Sequence, residues 1–567
     1  MSRRRESYGG FMLNTKLVSS MEKGFLDSPI EQFEALHTLS ALRNERVFFQ
    51  LFHTSDGDAP QRMMPQLRVS GPLSALVTAR TVEQVPVVMP VYEGQTDDNY
   101  LRTTPGLYPD VLQPLHYGAG ISVVRNQLHA VWFELALDGQ PAGEYPLTVE
   151  LVDAQGTALA SHTLTVEVLD AMLPPQELIL TQWFHCDSLA HYYHCPVWSD
   201  RHWEVIENFA RTAVRNGINL LLTPVFTPPL DTAVGGERLT CQLVDVTLCG
   251  SPETGTYTFG FDRLDRWVAM CDRVGVRYFE ISHLFTQWGA AHAPKVMVRV
   301  DGEEKKLFGW DTDATGVAYV RFLRAFLTAF LAHMRKNGND RRCFFHISDE
   351  PSGEQLESYR AAKAAVADLL EGYPVMDALS NVDFYRQGVV ATPIPSNDHI
   401  DAFIEAGAQG LWTYYCCGQC LHVSNRLIAM PLWRTRSIGM QFFKYRIKGF
   451  LQWAYNFYQN CSSVNPINPF TDVSGEYWVP AGDTCSVYPA QDGSALESIR
   501  ILSFYEALQD QRAMELAASL VGYDRVVAEM EKVFGEIRFS RCAHSARALQ
   551  DVRDAVNRLI REHIKES

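Results

Sequence analysis

The chain has 567 residues, 46% hydrophobic and 20% charged, which is too long for one ordinary domain and balanced for well-packed cores. Its formal net charge of −16 argues against a nucleic acid, an anionic membrane or a heavily sulfated glycan as partner, since each needs a basic face. A neutral small molecule fits better. The twelve cysteines all fall at or after Cys186 with irregular spacing, unlike a disulfide framework. The basic start Met1–Glu6 leads into a polar stretch rather than a signal-peptide core, and no stretch approaches the roughly 20 apolar residues that cross a bilayer. The expectation is a cytoplasmic protein with reduced thiols and no membrane or nucleic-acid partner. Its oligomeric state stays open, a homodimer included.

Residues 1–175 read as β structure. Arg46–His53, Gln127–Leu137, Tyr145–Val152 and Ser161–Leu169 alternate apolar and polar side chains, and turn signals such as Asp138-Gly139-Gln140-Pro141 separate them. Short strands at this spacing predict an N-terminal antiparallel β-sandwich, closed by the linker-like Leu173-Pro174-Pro175.

After Pro175 the rhythm becomes strand then helix. Strands are predicted at Leu178–Phe184, Asn219–Val225, Arg277–Ser282 and Cys343–Ser348, then at Val375–Ser380, Val389–Thr392, Gly410–Tyr415 and Gly449–Tyr455. Helices are predicted over Trp203–Arg215, Leu264–Arg273, Val317–Lys336 and Gly353–Leu370. Six to eight such units over residues 176–480 favour a central (β/α)8 TIM-like barrel over an open doubly wound sheet. No glycine-rich phosphate loop follows any strand. Residues 481–567 form a third segment, helical from Ala495. Its stripe of Leu549, Val552, Val556, Leu559 and Ile564 marks a packed face, expected against the barrel. The fold class is thus multidomain α/β plus β.

Ten of the eleven tryptophans lie between Trp183 and Trp478, where a protein that stacks sugar rings would concentrate them. Within that stretch Arg342-Cys-Phe-Phe-His-Ile-Ser-Asp-Glu-Pro351 runs an apolar strand directly into Asp349, Glu350 and a strand-ending proline. In a (β/α)8 barrel this is the face that carries catalytic groups. Adjacent carboxyls resist joint ionisation, so one can hold a proton while the other stays charged, the division of labour glycoside hydrolysis requires. The alternative is structural: Asp349 caps the next helix and Glu350 lies in its first turn.

The ordered set of Phe345-His-Ile-Ser-Asp-Glu-Pro351, Phe443-Lys-Tyr-Arg-Ile-Lys-Gly-Phe-Leu-Gln-Trp453, Gly482-Asp-Thr-Cys-Ser-Val-Tyr-Pro489, Glu497-Ser-Ile-Arg-Ile-Leu502 and Pro105-Gly-Leu-Tyr-Pro-Asp110 resembles glycoside hydrolase family 123, the β-N-acetylgalactosaminidases. The resemblance implies a retaining, substrate-assisted exo-hydrolase acting on a terminal 2-acetamido sugar of an oligosaccharide or glycoside. In that scheme Asp349 orients the acetamido N–H, and Glu350 is general acid and then general base. The remaining readings are a β-glycosidase specific for N-acetylglucosamine or plain β-galactose, and a carbohydrate-binding protein on a decayed barrel.

Around this pair, Trp412, Tyr414, Tyr415 and Trp453 are candidates for an aromatic wall, and Asn381 for a hydrogen bond to a sugar hydroxyl. His185, His283, Trp288 and Trp310 are further sugar-contact candidates. Glu280 keeps open a conventional double displacement with Glu280 as nucleophile. The cluster His185, Cys186, His191, His194 and Cys195, and the run Cys416, Cys417 and Cys420, match no paired metal-ligand spacing. Neither a metal nor a cofactor is expected.

Overall fold

The computed structural model describes residues 7–8, 11–57, 59–115 and 119–564, with side chains from residue 13 onward. The basic start at residues 1–6, on which the reading of the N-terminus turned, lies outside the described residues. The chain divides into two compact units. One is built from residues 1–176, 420–445 and 496–567, the other from 177–419 and 446–495. This differs from three consecutive segments: the C-terminal helices group with the N-terminal strands, not with the strand–helix repeats.

In the first unit, Phe11–Ser19, Arg46–Gly57, His129–Ala136, Val77–Val87 and Gly106–Leu115 pair antiparallel in that order, with Ser7–Tyr8 at the edge. A second sheet runs Thr38–Arg43, Ala158–Met172, Gly143–Val152, Gln66–Ser70. Its Thr38–Arg43 edge is parallel to its neighbour, a departure from the all-antiparallel expectation. Alternate side chains of both sheets share one core: Leu17, Phe49, Val131 and Phe133 from the first, Leu147, Val149, Leu164 and Val166 from the second. The rings of Phe49 and Phe133, opposite one another in the ladder, stack at 4.8 Å.

Helices Ile499–Val521, Tyr523–Phe534 and Ala546–His563 complete this unit. The Leu549, Val552, Val556, Leu559 stripe meets Ala513, Met514, Met530 and the strand residues Leu42 and Leu169 in a second core. Arg500, on the first of these helices, donates from Nε and Nη2 to the two oxygens of Asp110, both at 2.8 Å in a fully buried pair.

The second unit alternates strand and helix as its periodicity predicts. Short parallel strands occur at Ile179–Gln182, Leu220–Thr223, Tyr278–Ile281, Cys343–Phe345, Met376–Ala378, Thr392–Ile394, Trp412–Tyr414 and Gly449–Gln452. Ladder pairing groups them as three sheets of three, three and two strands, so no closed barrel is formed by ladders among the described residues. Backbone links outside the ladders join them further. Asn219 N–H donates to the Leu180 carbonyl at 3.1 Å, and single parallel bridges connect Phe345 with Val375 and Ser396 with Tyr414.

The helices start and stop on local signals. Asp200–Arg215 is capped by the Ser199 side chain, and Asp262–Val274 ends at Gly275, whose φ of 93° suits glycine. The helix expected over 353–370 is shorter: a 3-10 turn closed by a Ser352/Gln355 capping box leads into Leu356–Ala364. An inserted mixed sheet of Thr256–Gly260, Asp245–Cys249, Val296–Val300 and Glu303–Phe308, two antiparallel hairpins joined by a parallel pairing, was not anticipated. Val317–Lys336 corrects the hydropathy reading, being long and apolar enough by composition to cross a membrane. Its buried Phe322, Phe326 and Phe330 pack instead on Phe226, Phe308 and Phe345.

Candidate active site

Asp349 and Glu350 lie just past the end of strand Cys343–Phe345. Glu350 takes φ of 41°, a left-handed conformation costly for a residue with a Cβ. That turn breaks the alternation by which a strand would send neighbouring side chains to opposite faces. It is pinned from both sides: Glu350 N–H donates to the Ala378 carbonyl at 2.9 Å, and the Asp349 carbonyl accepts from Trp288 N–H at 2.8 Å. Asp349 is half-buried and Glu350 is exposed. Loss of hydration, then the charge of Glu350, holds the Asp349 carboxyl well above the usual carboxylate range.

Glu350 lines an open hollow of about 530 Å³ with Ser380, Asn381, His399 and Tyr414. The Tyr414 hydroxyl donates to Glu350 Oε1 at 2.5 Å. Trp453 is half-buried at the end of its own strand, and its indole N–H donates to Asp483 Oδ2 at 2.7 Å. Its ring packs against Phe457 at 5.0 Å and Trp478 at 5.5 Å. Trp288 is 50% exposed, on a backbone with φ of 60° anchored to Asp349. Asn381 is half-buried, and its Oδ1 accepts from Asp383 N–H at 2.9 Å. Of these four predicted contacts, Tyr414 and Asn381 line the hollow with Glu350 and Trp288 is bonded to the Asp349 backbone, whereas Trp453 meets Asp483, Phe457 and Trp478.

Other predicted contacts fall elsewhere. Trp412 is 3% exposed, one strand repeat (about 6–7 Å) deeper than Tyr414, and fills the core over Gly449 beside Phe344. Tyr415 points to the opposite face from Tyr414 and packs on Phe450 at 4.8 Å. His185 is buried behind Trp453: its Nε2 donates to the Trp453 carbonyl at 2.9 Å, and its Nδ1 accepts from Arg238 at 3.1 Å. Burial and then the Arg238 charge push it down to about 3, so it is a neutral spacer. Trp310 is half-buried beside His292, with ring centroids 5.9 Å apart.

Glu280 is fully buried and cannot face a sugar. It accepts from the Thr181 hydroxyl, the Trp183 indole N–H at 2.8 Å and His346 Nε2 at 2.7 Å. His283 is also buried, its ring stacked on that of His346 at 4.3 Å. His283, His346 and Asp377 bring ligand-type atoms within 4.8 Å of one another. The donors do not suit a cation: stacked imidazoles aim their lone pairs side by side rather than at one point, and both His346 nitrogens already face carboxylates.

Two residues escaped the sequence reading. Asp483 lies in the quoted Gly482-Asp-Thr-Cys segment, but nothing there shows that it anchors Trp453. Asp231 lies in the loop that follows strand Leu220–Thr223, with φ of 52° and its backbone N–H held by Gln287 Oε1 at 2.8 Å. Its Oδ2 has no hydrogen-bond partner. Burial, opposed by Arg238 and reinforced by Glu350 and Asp483, pushes this carboxyl up to about 7. The tight Asp187–Arg238 pair, at 2.8 and 3.0 Å, holds the same loop through the Leu230 carbonyl.

A pair of strand-end carboxyls with aromatic neighbours is the apparatus of a sugar hydrolase, and the family comparison agrees. Residues 183–517 match the family model described as glycoside hydrolase 123, catalytic domain. The chain belongs to glycoside hydrolase family 123. It is similar in fold to a solved family 123 glycoside hydrolase from Clostridium perfringens, described for glycolipid glycan hydrolysis. That likeness has a TM-score of 0.74 and 13% identity, and covers 98% of this chain and 99% of that one. Two weaker likenesses carry no argument. A Parabacteroides merdae β-glucuronidase has a TM-score of 0.31 and 10% identity over 89% of this chain and 52% of that one. A Thermobacillus composti GH10 xylanase has a TM-score of 0.29 and 10% identity over 58% and 97%. No curated protein matches the chain.

Proposed function

We propose that the protein is a retaining, substrate-assisted exo-hydrolase that releases terminal β-linked N-acetylgalactosamine. The observation that carries this reading is the turn at Glu350, which gives neighbouring carboxyls different surroundings: Glu350 exposed in a hollow under the Tyr414 hydroxyl, Asp349 recessed beside it. Glu350 donates its proton to the glycosidic oxygen as that bond breaks. The substrate's acetamido carbonyl oxygen attacks the anomeric carbon, while Asp349 accepts the acetamido N–H and stabilises the positive charge on the oxazolinium-type intermediate. Glu350 then takes a proton from the water that reopens this ring, and the configuration is retained. N–H donation to Asp349 favours its charged form and offsets the burial that disfavours it.

The conventional alternative loses its nucleophile, because Glu280 is buried under three donors. The eight parallel strands, joined in chain order by ladders, single bridges and the Asn219 link, support reading the second unit as a (β/α)8 barrel with the pair at the carboxyl ends. The shared core of the two sheets likewise supports a sandwich in the first unit. The relative's action on glycolipid glycans makes such glycans the natural first substrates to try.

The test is hydrolysis of nitrophenyl β-N-acetylgalactosaminide beside its gluco epimer and the plain β-galactoside, with an oxazoline-mimicking thiazoline as inhibitor. Preferred turnover of the first, blocked by the thiazoline, is expected. Equal turnover of the plain galactoside, or indifference to the thiazoline, would sink the mechanism.

A further inference from the structure

The hollow beside Glu350 carries one more group built for hydrogen bonding. Beyond strand Thr392–Ile394 the chain turns through residues 395–399, and His399 N–H donates to the Ser396 carbonyl at 2.9 Å. The turn is fixed to the strand of Tyr414. Tyr414 N–H donates to the Pro395 carbonyl at 3.1 Å, and Asn397 N–H to the Tyr414 carbonyl at 2.9 Å. The strand end that holds the Tyr414 hydroxyl on Glu350 therefore also sets His399 on the wall of the same hollow. The ring is aimed from behind. Nδ1 lies 2.8 Å from Asp398 Oδ1 and 3.1 Å from the Ser396 hydroxyl oxygen. Asp398 Oδ1 also takes the Ser396 hydroxyl at 2.6 Å and Gln419 Nε2 at 3.2 Å, and Ser396 Oγ stands 2.9 Å from Ser380 Oγ. Ser396 and Gln419 are buried, so this support belongs to the fold and not to its surface. Since the Ser396 hydrogen goes to Asp398, both neighbours of Nδ1 are acceptors toward the ring, and the imidazole proton belongs on Nδ1. In the neutral ring Nε2 then keeps a lone pair. It has no partner among the described residues, and the His399 side chain is 59% exposed.

We propose that His399 sets the specificity for the leaving group, its Nε2 accepting a hydroxyl of a sugar that departs from Glu350. This rests on the reading of Glu350 as general acid and base. A proton donor stands at the bond that breaks, with the 2-acetamido sugar on the Asp349 side and the leaving group on the other. Among the described residues Glu350, but not Asp349, lines the hollow, so the hollow falls on the leaving-group side. Ser352, Ser380, Asn381 and Tyr414 join His399 there, a polar lining that suits a sugar and not a lipid chain. Asn381 supplies the complementary group. Its Oδ1 is taken by Asp383 N–H at 2.9 Å, which leaves its Nδ2 as a donor with no partner among the described residues. A donor and an acceptor lining one hollow match the double character of a sugar hydroxyl.

A nitrophenyl leaving group offers no hydroxyl, whereas a sugar offers several. The test is therefore a ratio: kcat/KM on the better of β-N-acetylgalactosaminyl-1,3-galactose and its 1,4 isomer, over kcat/KM on nitrophenyl β-N-acetylgalactosaminide. Loss of one neutral hydrogen bond should lower that ratio about 3- to 10-fold in His399→Ala, chiefly through KM. Two further variants separate ligand binding from support of the turn. His399→Asn places its amide where Nδ1 was and keeps the bond to Asp398, but reaches no further. His399→Gln places its amide near the position of Nε2. His399→Asn should lose as much as His399→Ala, and His399→Gln should recover most of the wild-type ratio. A ratio unmoved in His399→Asn, or His399→Gln no better than His399→Asn, would overturn the proposal, whether or not His399→Ala folds. Wild-type enzyme that cleaves the nitrophenyl glycoside but neither disaccharide would overturn it too, while leaving the catalytic pair standing. Enzyme that cleaves none of the three would remove the catalytic reading instead, and the role of His399 with it.

Discussion

The Tyr414 hydroxyl donates to Oε1 of Glu350 at 2.5 Å, joining the ends of two strands 64 residues apart in sequence. It is the direct link between the aromatic side of the site and the proposed proton donor. A hydrogen bond to a charged group is worth about 1.5–3 kcal/mol, so Tyr414→Phe should lower kcat/KM roughly 10- to 100-fold. The melting temperature should stay within a few degrees, since the ring itself remains. Unchanged kinetics would detach this hydroxyl from the reaction.

The two acids should fail differently. Glu350→Gln removes the proton donor, so hydrolysis of poor leaving groups should vanish while activated aryl glycosides keep measurable turnover. Asp349→Asn removes the acceptor for the acetamido N–H and should depress both substrate types. Steady-state rates on an aryl glycoside and on an oligosaccharide decide it, and equal mild losses would refute these assignments.

His346 makes stability depend on pH. Its folded value of about 9 exceeds the ordinary 6.5, so its contribution is fully present below about 6.5 and disappears as pH rises through about 9. Thermal melts across pH 6–10 should show this decline in the wild type and a flatter one in His346→Gln. Parallel curves would mean that the ring is not charged in the native state.

Trp412 should behave as core. Trp412→Ala is expected to cost about 3–5 kcal/mol of stability, read by denaturant unfolding. A Cβ on Gly449 would fall 2.1 Å from its indole, so Gly449→Ala should cost about 1–3 kcal/mol. In the Trp412→Ala background the clash is gone, and Gly449→Ala should be far milder. Additive losses would contradict this packing.

Arg500→Ala leaves Asp110 buried and uncompensated and should destabilise the first unit by about 3–5 kcal/mol. The Arg500→Ala/Asp110→Ala double variant should lose less than the two single losses combined, as a denaturation cycle would reveal.

Period and punctuation in the sequence placed most strands and helices to within a few residues, because burial on one face imposes a repeat of two or of 3.6 whatever the partner. The same logic marked Asp349–Glu350: an apolar strand broken by proline has few ways to continue. The inserted hairpins at 245–260 and 296–308 were less legible, because half-exposed strands on an insertion lack that constraint. The Leu549–Leu559 stripe showed that the last helix packs, but a stripe does not name its partner, and the fold supplied strand residues Leu42 and Leu169. What tertiary structure alone decided is which side chains meet. Trp412 and Tyr414 look equivalent in sequence and share one core, yet only the hydroxyl of Tyr414, nearer the strand end, reaches Glu350. Glu280, plausible as a nucleophile from its position, is instead spent on His346, Trp183 and Thr181, since a buried carboxylate must find donors and two other strand segments bring them.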